Sequence, residues 1–207
     1  MDRQFPNWEQ LYQEQAVESM PWFHEALDPD LEKALHQLSL TQGKALDIGT
    51  GPGTQAIALA TLGFRVTATD LSTTAIEKAK KKTQDARLDI LWMQDDILNS
   101  QLNGQFSVIV DRGCFHVLPP QRRQDYVSVV ASLLEPSGYL FLKCFSTLET
   151  RESGPYRFTA NEIEAIFQSH FHLISTEETQ YYGTLDPMPK ALFCILRKEE
   201  LAIGAAV

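Results

Sequence analysis

The stretch "ALDIGTGPGT" (residues 45–54) constrains this chain more than any other part of it. An apolar run ends in Asp47, Gly49, Gly51 and Gly53 alternate with Thr50 and Pro52, and a helical pattern begins at Thr54. Glycines at such a turn take positive φ angles and let a ligand approach the backbone. The next strand-like run, "RVTATD", ends in Asp70, 17 positions after Gly53. A carboxylate at that place can accept hydrogen bonds from both hydroxyls of a ribose. A glycine turn alone is weak evidence. A strand, this turn, a helix, a strand and then an acid form a much more specific pattern.

The rest of the chain keeps the same alternation. The strand "KALDI" is followed by the helix "TQAIALATLG", which ends at Gly63, and by "RVTATD". The helix "STTAIEKAKKKTQ" starts with Ser72 as N-cap. "LDILWM" and "FSVIV" read as strands, "PQRRQDYVSVVASLL" as a helix and "GYLFLKCF" as a strand. "TANEIEAIFQSH" is a helix with a capping box of Thr159 and Glu162. Such alternation predicts an α/β fold, a parallel sheet with helices on both faces. The last two strand-like runs, "FHLISTEETQYY" and "KALFCILRK", are joined by the short loop "GTLDPMP". A parallel crossover needs a longer connection, so this pair is expected to be antiparallel. Two helices precede the alternation. "NWEQLYQEQAVES" places Trp8, Leu11, Tyr12 and Gln15 on one face, and "DPDLEKALHQLSL" starts on an Asp28–Pro29 cap.

The loop's chemistry separates two cofactors. A dinucleotide fingerprint reads G-x-G-x-x-G and cradles a pyrophosphate at a helix N-terminus. Here the spacing is G-x-G-x-G, and Asp47 stands before the first glycine. That carboxylate would repel a pyrophosphate and attract an ammonium and a sulfonium. The residues therefore favour S-adenosylmethionine (SAM) over NAD.

Bulk properties narrow the partners. The chain has 207 residues, a formal net charge of -9 and a pI near 5.0, which oppose nucleic acid and anionic lipid. No run approaches the roughly 20 apolar residues of a membrane span. The N-terminal segment has no secretory pattern, and the three cysteines, Cys114, Cys144 and Cys194, read as reduced thiols. A cytoplasmic protein, monomer or weak dimer, with no metal, is the expectation. One domain is expected, with an N-terminal helical cap (1–42), a SAM-binding core (43–198) and a tail (199–207).

On these residues the chain resembles the class I SAM-dependent methyltransferases. Their D-x-G-x-G-x-G motif is matched by Asp47, Gly49, Gly51 and Gly53, and Asp70 matches their ribose-binding acid. The resemblance implies a Rossmann-like three-layer sandwich with a seven-stranded, mostly parallel sheet whose last strand is antiparallel. It also implies that Thr50, Thr54 and Leu71 flank the cofactor. In "WMQDDIL", Asp96 would bond the adenine amino group and Ile97 would contact the ring through backbone and side chain. Asp111 and Arg112 would neighbour the methionine end, the former through its backbone. S-Adenosylhomocysteine would be the product.

No N-P-P-Y motif of nucleic-acid amino methylases follows the fourth strand; that position reads "DRGCFH". "MPWF", "DRGCFHVLPP" and "GPYRFTANEIEAIF" resemble the thiopurine and thiol methyltransferase group, which includes tellurite-resistance enzymes. This implies a small acceptor, such as a thiol, a metalloid or another soft nucleophile. Trp8, Tyr12, Trp22 and Phe23 are candidates to close over it. Cys114, His116 and Cys144 are candidates to touch it, and His116 is the first candidate for a base if the acceptor is an amine or hydroxyl. Each aromatic has an equally good reading as core packing. A nucleotide-dependent oxidoreductase and a non-catalytic SAM-binding module also stay open at this point.

Overall fold

The computed structural model describes residues 3–199; residues 200–207 of the tail lie outside the described residues. Seven strands form one continuous sheet: β1 (Gly43–Ile48), β2 (Phe64–Asp70), β3 (Ile90–Gln94), β4 (Phe106–Arg112), β5 (Leu134–Ser146), β7 (Phe171–Gln180) and β8 (Lys190–Lys198). Their order is β3-β2-β1-β4-β5-β8-β7, and the two-residue β6 (Arg157–Phe158) pairs with the end of β5. The first five strands are mutually parallel, whereas β8 runs antiparallel to both β5 and β7. The expected sheet is thus observed, with one small strand added at its margin.

Period-2 alternation sends side chains to two cores. Leu46, Ile109, Leu142, Cys194 and Leu196 face α5 (Arg123–Leu133) and α6 (Ala160–Phe167). Ala45, Val66, Val108, Val110, Phe193 and Ile195 face α2 (Pro29–Gln37) and α3 (Thr54–Thr61). Helix α4 (Thr73–Lys82) completes the second layer against β2 and β3. The caps form as read: Asp28 accepts from Asp30 N, Ser72 from Ala75 N, and Thr159 with Glu162 makes a reciprocal box.

The first helix departs from its expected length. α1 (Trp8–Glu14) ends before Gln15, which is extended and exposed, and a 3-10 turn follows at Val17–Ser19. The reason lies in the spacing. After Tyr12 the next buried residue is Val17, five positions on and about 140° round a helix, so a continued helix would turn it away from the Tyr12 face. Lys78 on α4 closes the break by donating its ammonium to the carbonyls of Tyr12 and Gln15. At the other end of α1, Glu9 accepts from Ser72 Oγ (2.6 Å), Thr74 N and Thr74 Oγ1 (2.6 Å). Those hydrogen bonds, from Ser72 and Thr74, bring the Glu9 carboxyl down to about 2.

A buried ion cluster fixes the N-terminal segment on the sheet. Asp28 is 1% exposed, and both its oxygens lie 2.7 Å from Lys143 Nζ on β5. It also accepts from Arg112 Nε on β4 at 2.8 Å, and Lys143 reaches Asp30 at 2.7 Å. Burial raises the Asp28 carboxyl, but Lys143 and Arg112 together outweigh it and hold it ionised. Removing one partner strands a charge in the interior. Lys143→Met should therefore lower the unfolding free energy by about 3 kcal/mol, read as a shifted midpoint in urea.

Candidate active site

The turn after β1 lies at the carboxyl ends of the parallel strands, where α/β folds bind ligands. Gly49, Gly51 and Gly53 all adopt positive φ, at 64°, 51° and 80°. Close packing as well as conformation excludes a side chain at two of them. A Cβ on Gly51 would lie 2.6 Å from the Tyr12 hydroxyl, and one on Gly53 would lie 2.6 Å from the Trp92 ring. Asp70 ties this turn to the next helix by accepting from Gly51 N (2.8 Å) and Ser72 N (2.9 Å). Asp47 accepts from Thr50 Oγ1 at 2.5 Å.

The electrostatics favour a cation. Burial pushes the Asp47 carboxyl up to about 7, against the Thr50 hydrogen bond, and Asp111 and Asp70 add to the rise. Burial raises Asp70 and Asp111 as well, against their backbone and side-chain donors. Among the described residues no lysine or arginine pairs with any of the three. The turn and its acids fit a ligand that brings its own positive charge, as the ammonium and sulfonium of SAM do. A small opening of about 370 Å³, its mouth included, is lined by Asp47, Gly49, Thr50, Gly51, Thr54, Arg112 and Trp22.

On the other side of Asp70, Leu71 is 52% exposed and offers an apolar face at the rim. Asp96 caps the 3-10 turn Ile97–Asn99, accepting from Leu98 N and Asn99 Nδ2. The Ile97 side chain is buried, packed in the core shared with α5 directly after Asp96. Asp95 went unnoticed in the sequence. Its Oδ1 accepts from Gln101 N, and its Oδ2 is buried without a partner.

The end of β4 reads differently from its sequence. Asp111 is fully buried and accepts from the amides of Gly113, Cys114 and Phe115 and from Tyr126 Oη at 2.6 Å. Its side chain shapes the bend and leaves only the backbone to face a ligand. Arg112 lines the opening, yet its guanidinium turns inward to Asp28 and to the carbonyls of Trp22 and Tyr182. Cys114 is half-buried with its Cβ over Gly49, where an added Cβ would lie 3.3 Å away. Burial pushes its thiol well up, and the nearby Asp111 adds to this.

Two expectations need correction. Cys144 is wholly buried, in the core that also holds Cys194, and does not join Cys114 and His116 at a common point. Its thiol is pushed well up by burial and by the neighbouring Cys194. His116 is in the wrong state for a base. Its ring stacks on Tyr181 (5.6 Å) and meets Phe145 edge-on (5.3 Å). Burial, aided by Arg112, brings it down to about 3, and its Nδ1 already accepts from Phe145 N at 3.3 Å.

The N-terminal aromatics divide. Tyr12 covers Gly51, and Trp8 packs edge-on against Trp22 at 5.8 Å, beside the opening that Trp22 lines. Phe23 is carried instead toward Lys82, whose ammonium lies 5.6 Å from its ring. Lys143 and Tyr181 were missed. The first had one signal, a lone lysine inside the apolar strand "YLFLKCF".

A glycine-lined, acid-rich turn at the carboxyl edge of this sheet defines a SAM-dependent methyltransferase of class I, acting on a small molecule. Comparison with known proteins places it more closely. The chain matches the family described as thiopurine S-methyltransferase over residues 3–193, and it belongs to that family. It is 32% identical over 129 residues to an uncharacterized methyltransferase of Schizosaccharomyces pombe, covering 62% of this chain and 88% of that one. It is 27% identical over 161 residues to a probable thiol methyltransferase of Arabidopsis thaliana, covering 77% and 70%. Thiocyanate methyltransferase 1 of Brassica oleracea is 24% identical over 177 residues, covering 84% and 77%. Among solved structures, TehB from Haemophilus influenzae shares the fold with a TM-score of 0.72 at 18% identity, covering 86% and 64%. Among the described residues no helix is long and apolar enough to cross a membrane.

The raised Asp47 carboxyl has a testable consequence. The folded protein holds a proton there that the unfolded chain releases near 3.8, so ionising Asp47 costs stability as pH rises toward about 7. Asp47→Asn should stabilise the ligand-free protein by roughly 1–3 kcal/mol at pH 8 and by less at pH 5. The same change should weaken SAM binding at least 10-fold. Wild-type affinity should rise with pH and level off above about 7. Thermal melts and calorimetric titrations across that range check both signs.

Proposed function

We propose that this enzyme methylates a thiol or a comparably soft nucleophile that arrives already ionised. The observation carrying this reading is that no group at the end of β4 is free to take a proton. His116 is held neutral with its lone pair engaged, Asp111 accepts four hydrogen bonds, and the Tyr181 hydroxyl donates to the Arg112 carbonyl at 2.7 Å. Burial also pushes the Tyr181 hydroxyl far up. At the end of β4 an amine or hydroxyl acceptor would find no positioned base to supply its roughly 10²–10⁴-fold. A thiol loses its proton to water beforehand, and the thiolate that attacks needs no base. The names of the thiol and thiocyanate methyltransferases that this chain resembles support the same class.

SAM supplies an electrophilic methyl group on a sulfonium. The acceptor sulfur donates an electron pair to that carbon, while the pair of the breaking carbon–sulfonium bond stays with the departing sulfur. Both charges vanish, so a dry site accelerates the step. The chain's part is placement. The methionine end would rest on Asp47, Gly49, Thr50, Gly51, Gly53 and Thr54. Asp70 would take the ribose, and Leu71, Asp96 and the Ile97 backbone the adenine. Trp8, Tyr12 and Trp22 in the cap (1–42) would exclude water over the core (43–198). The three unpaired cysteines support a reducing, cytoplasmic setting, and the charge of -9 speaks against nucleic acid. A monomer or weak dimer suffices, since one chain supplies every residue named.

Methyl transfer from labelled SAM to matched thiol, amine and phenol panels tests the reading. Thiols should exceed the others by at least 100-fold, in line with the missing base. Across pH 6–9 the rate at low acceptor concentration should follow the thiol's own ionisation. Preference for amines, or a bell-shaped profile shared by all acceptors, would sink it.

A further inference from the structure

His116 is the one residue at the β4 end whose remaining capacity is unexplained. Its ring is 4% exposed and wedged between Phe145 and Tyr181. The amide of Phe145 points at Nδ1, so Nδ1 carries the lone pair and the proton of the neutral ring sits on Nε2. The low basicity set by burial keeps the ring in that neutral form at any working pH. Nε2–H makes no hydrogen bond to another described residue, and the atom keeps some access to solvent, so it is free to meet a ligand. Its direction is specific. A Cβ on Gly113 would lie 3.3 Å from Nε2, and the same Cβ would collide with the Tyr181 hydroxyl. Gly113 has φ +115°, and it links the strand end to Cys114, which lies over Gly49. The edge bearing Nε2–H is thus turned to the bend between the cofactor turn and the aromatic cluster of Phe145, Tyr181 and Trp22.

We propose that His116 is a hydrogen-bond donor, not a base: its Nε2–H holds the anionic sulfur of a thiolate acceptor against an aromatic wall. The inference rests on the soft-acceptor reading above and assigns that site its recognition element. Two features make the arrangement suit a thiolate. A neutral donor stabilises the anion without handing it a proton, because the imidazole N–H is far less acidic than a thiol. The surrounding rings offer a polarisable, water-poor surface to a large sulfur. A side chain at Gly113 would meet both Nε2 and the Tyr181 hydroxyl, so the bend packs closely against the edge of the ring.

Two variants separate donation from packing. His116→Gln can still accept from the Phe145 amide through its oxygen and donate through its nitrogen, whereas His116→Leu does neither. The probe is a nitro-substituted thiophenol, ionised at pH 8. His116→Leu should lower kcat/KM roughly 10- to 100-fold, the worth of one hydrogen bond to a charged group. The loss should fall mainly on KM, with S-adenosylhomocysteine affinity unchanged, and His116→Gln should recover most of it. In the wild type with S-adenosylhomocysteine bound, adding the thiolate should move the Nε2–H proton resonance of His116 downfield while Nδ1 stays unprotonated. Equal kcat/KM in all three proteins would overturn the donor role. So would an equal loss in both variants tracking a lowered melting temperature, which marks packing alone. A wild type that binds the cofactor but transfers to no thiol would fail the soft-acceptor reading itself, and this inference with it.

Discussion

The carboxylate of Asp28 is the point on which the rest of the site depends. It caps α2 and pairs with Lys143 on β5 and Arg112 on β4, while the backbone amide of Asp28 donates to Gln55 Oε1 on α3. Arg112 in turn holds the carbonyls of Trp22 and Tyr182, so one buried charge sets where the N-terminal segment and the β7–β8 connection meet. Such a cluster adds little net stability, because desolvation offsets most of its Coulomb attraction. Its effect is positional. A hydrophobic patch of the same area would let Trp22 slide, whereas a carboxylate between two cations accepts one arrangement. Arg112 is therefore a frame for the pocket wall, with its guanidinium engaged by Asp28 and the carbonyls of Trp22 and Tyr182.

A second constraint runs in the opposite direction. Asp47, Asp70 and Asp111 are buried near one another, and none has a cationic partner among the described residues. Asp111 is compensated by four donors, and Asp70 by two amides. Asp47 accepts from the Thr50 hydroxyl and the Ala56 amide, and burial still lifts its carboxyl to about 7. The fold tolerates this instability at the place where a cationic cofactor would remove it. The Asp28 cluster and the acid-lined turn thus divide the labour: charges that build the frame are paired within the protein, and charges that face the ligand are left to be paired by it.

How much of this was readable in the sequence depended on the range of the interaction. The glycine turn, the caps at Asp28, Ser72 and Thr159, and the antiparallel terminal strands are local or periodic, and each was legible. Lys143 and Asp28 are 115 positions apart, and nothing in either segment names the other. Asp28 was read as a helix cap, which it is, while its larger role depends on the packing of distant elements. The break in α1 was legible in principle, since Tyr12 and Val17, five positions apart, do not share a helical face. Cys144 and His116 show a different limit. Strand position brought both near the site in one dimension, but pleat direction sent Cys144 into the core, and a single backbone amide decided which nitrogen of His116 keeps its proton.

That last detail explains how the end of β4 can contain cysteine, histidine, tyrosine and aspartate and still offer no free base. Titratable groups act as catalysts only when some solvent or partner lets their charge change. Here burial suppresses ionisation of Cys114, Tyr181 and His116, and backbone donors occupy Asp111. The groups are fixed as neutral dipoles, and the Asp111 carboxyl is held by its own four donors. A preorganised set of dipoles in a dry pocket can orient an anion without competing for its proton. It offers nothing comparable to a neutral amine that must shed a proton as it is methylated. Selectivity for an ionised acceptor then follows from what the site withholds. It needs no dedicated pocket for one particular substrate, and it leaves the aromatic wall free to accept scaffolds of different shape.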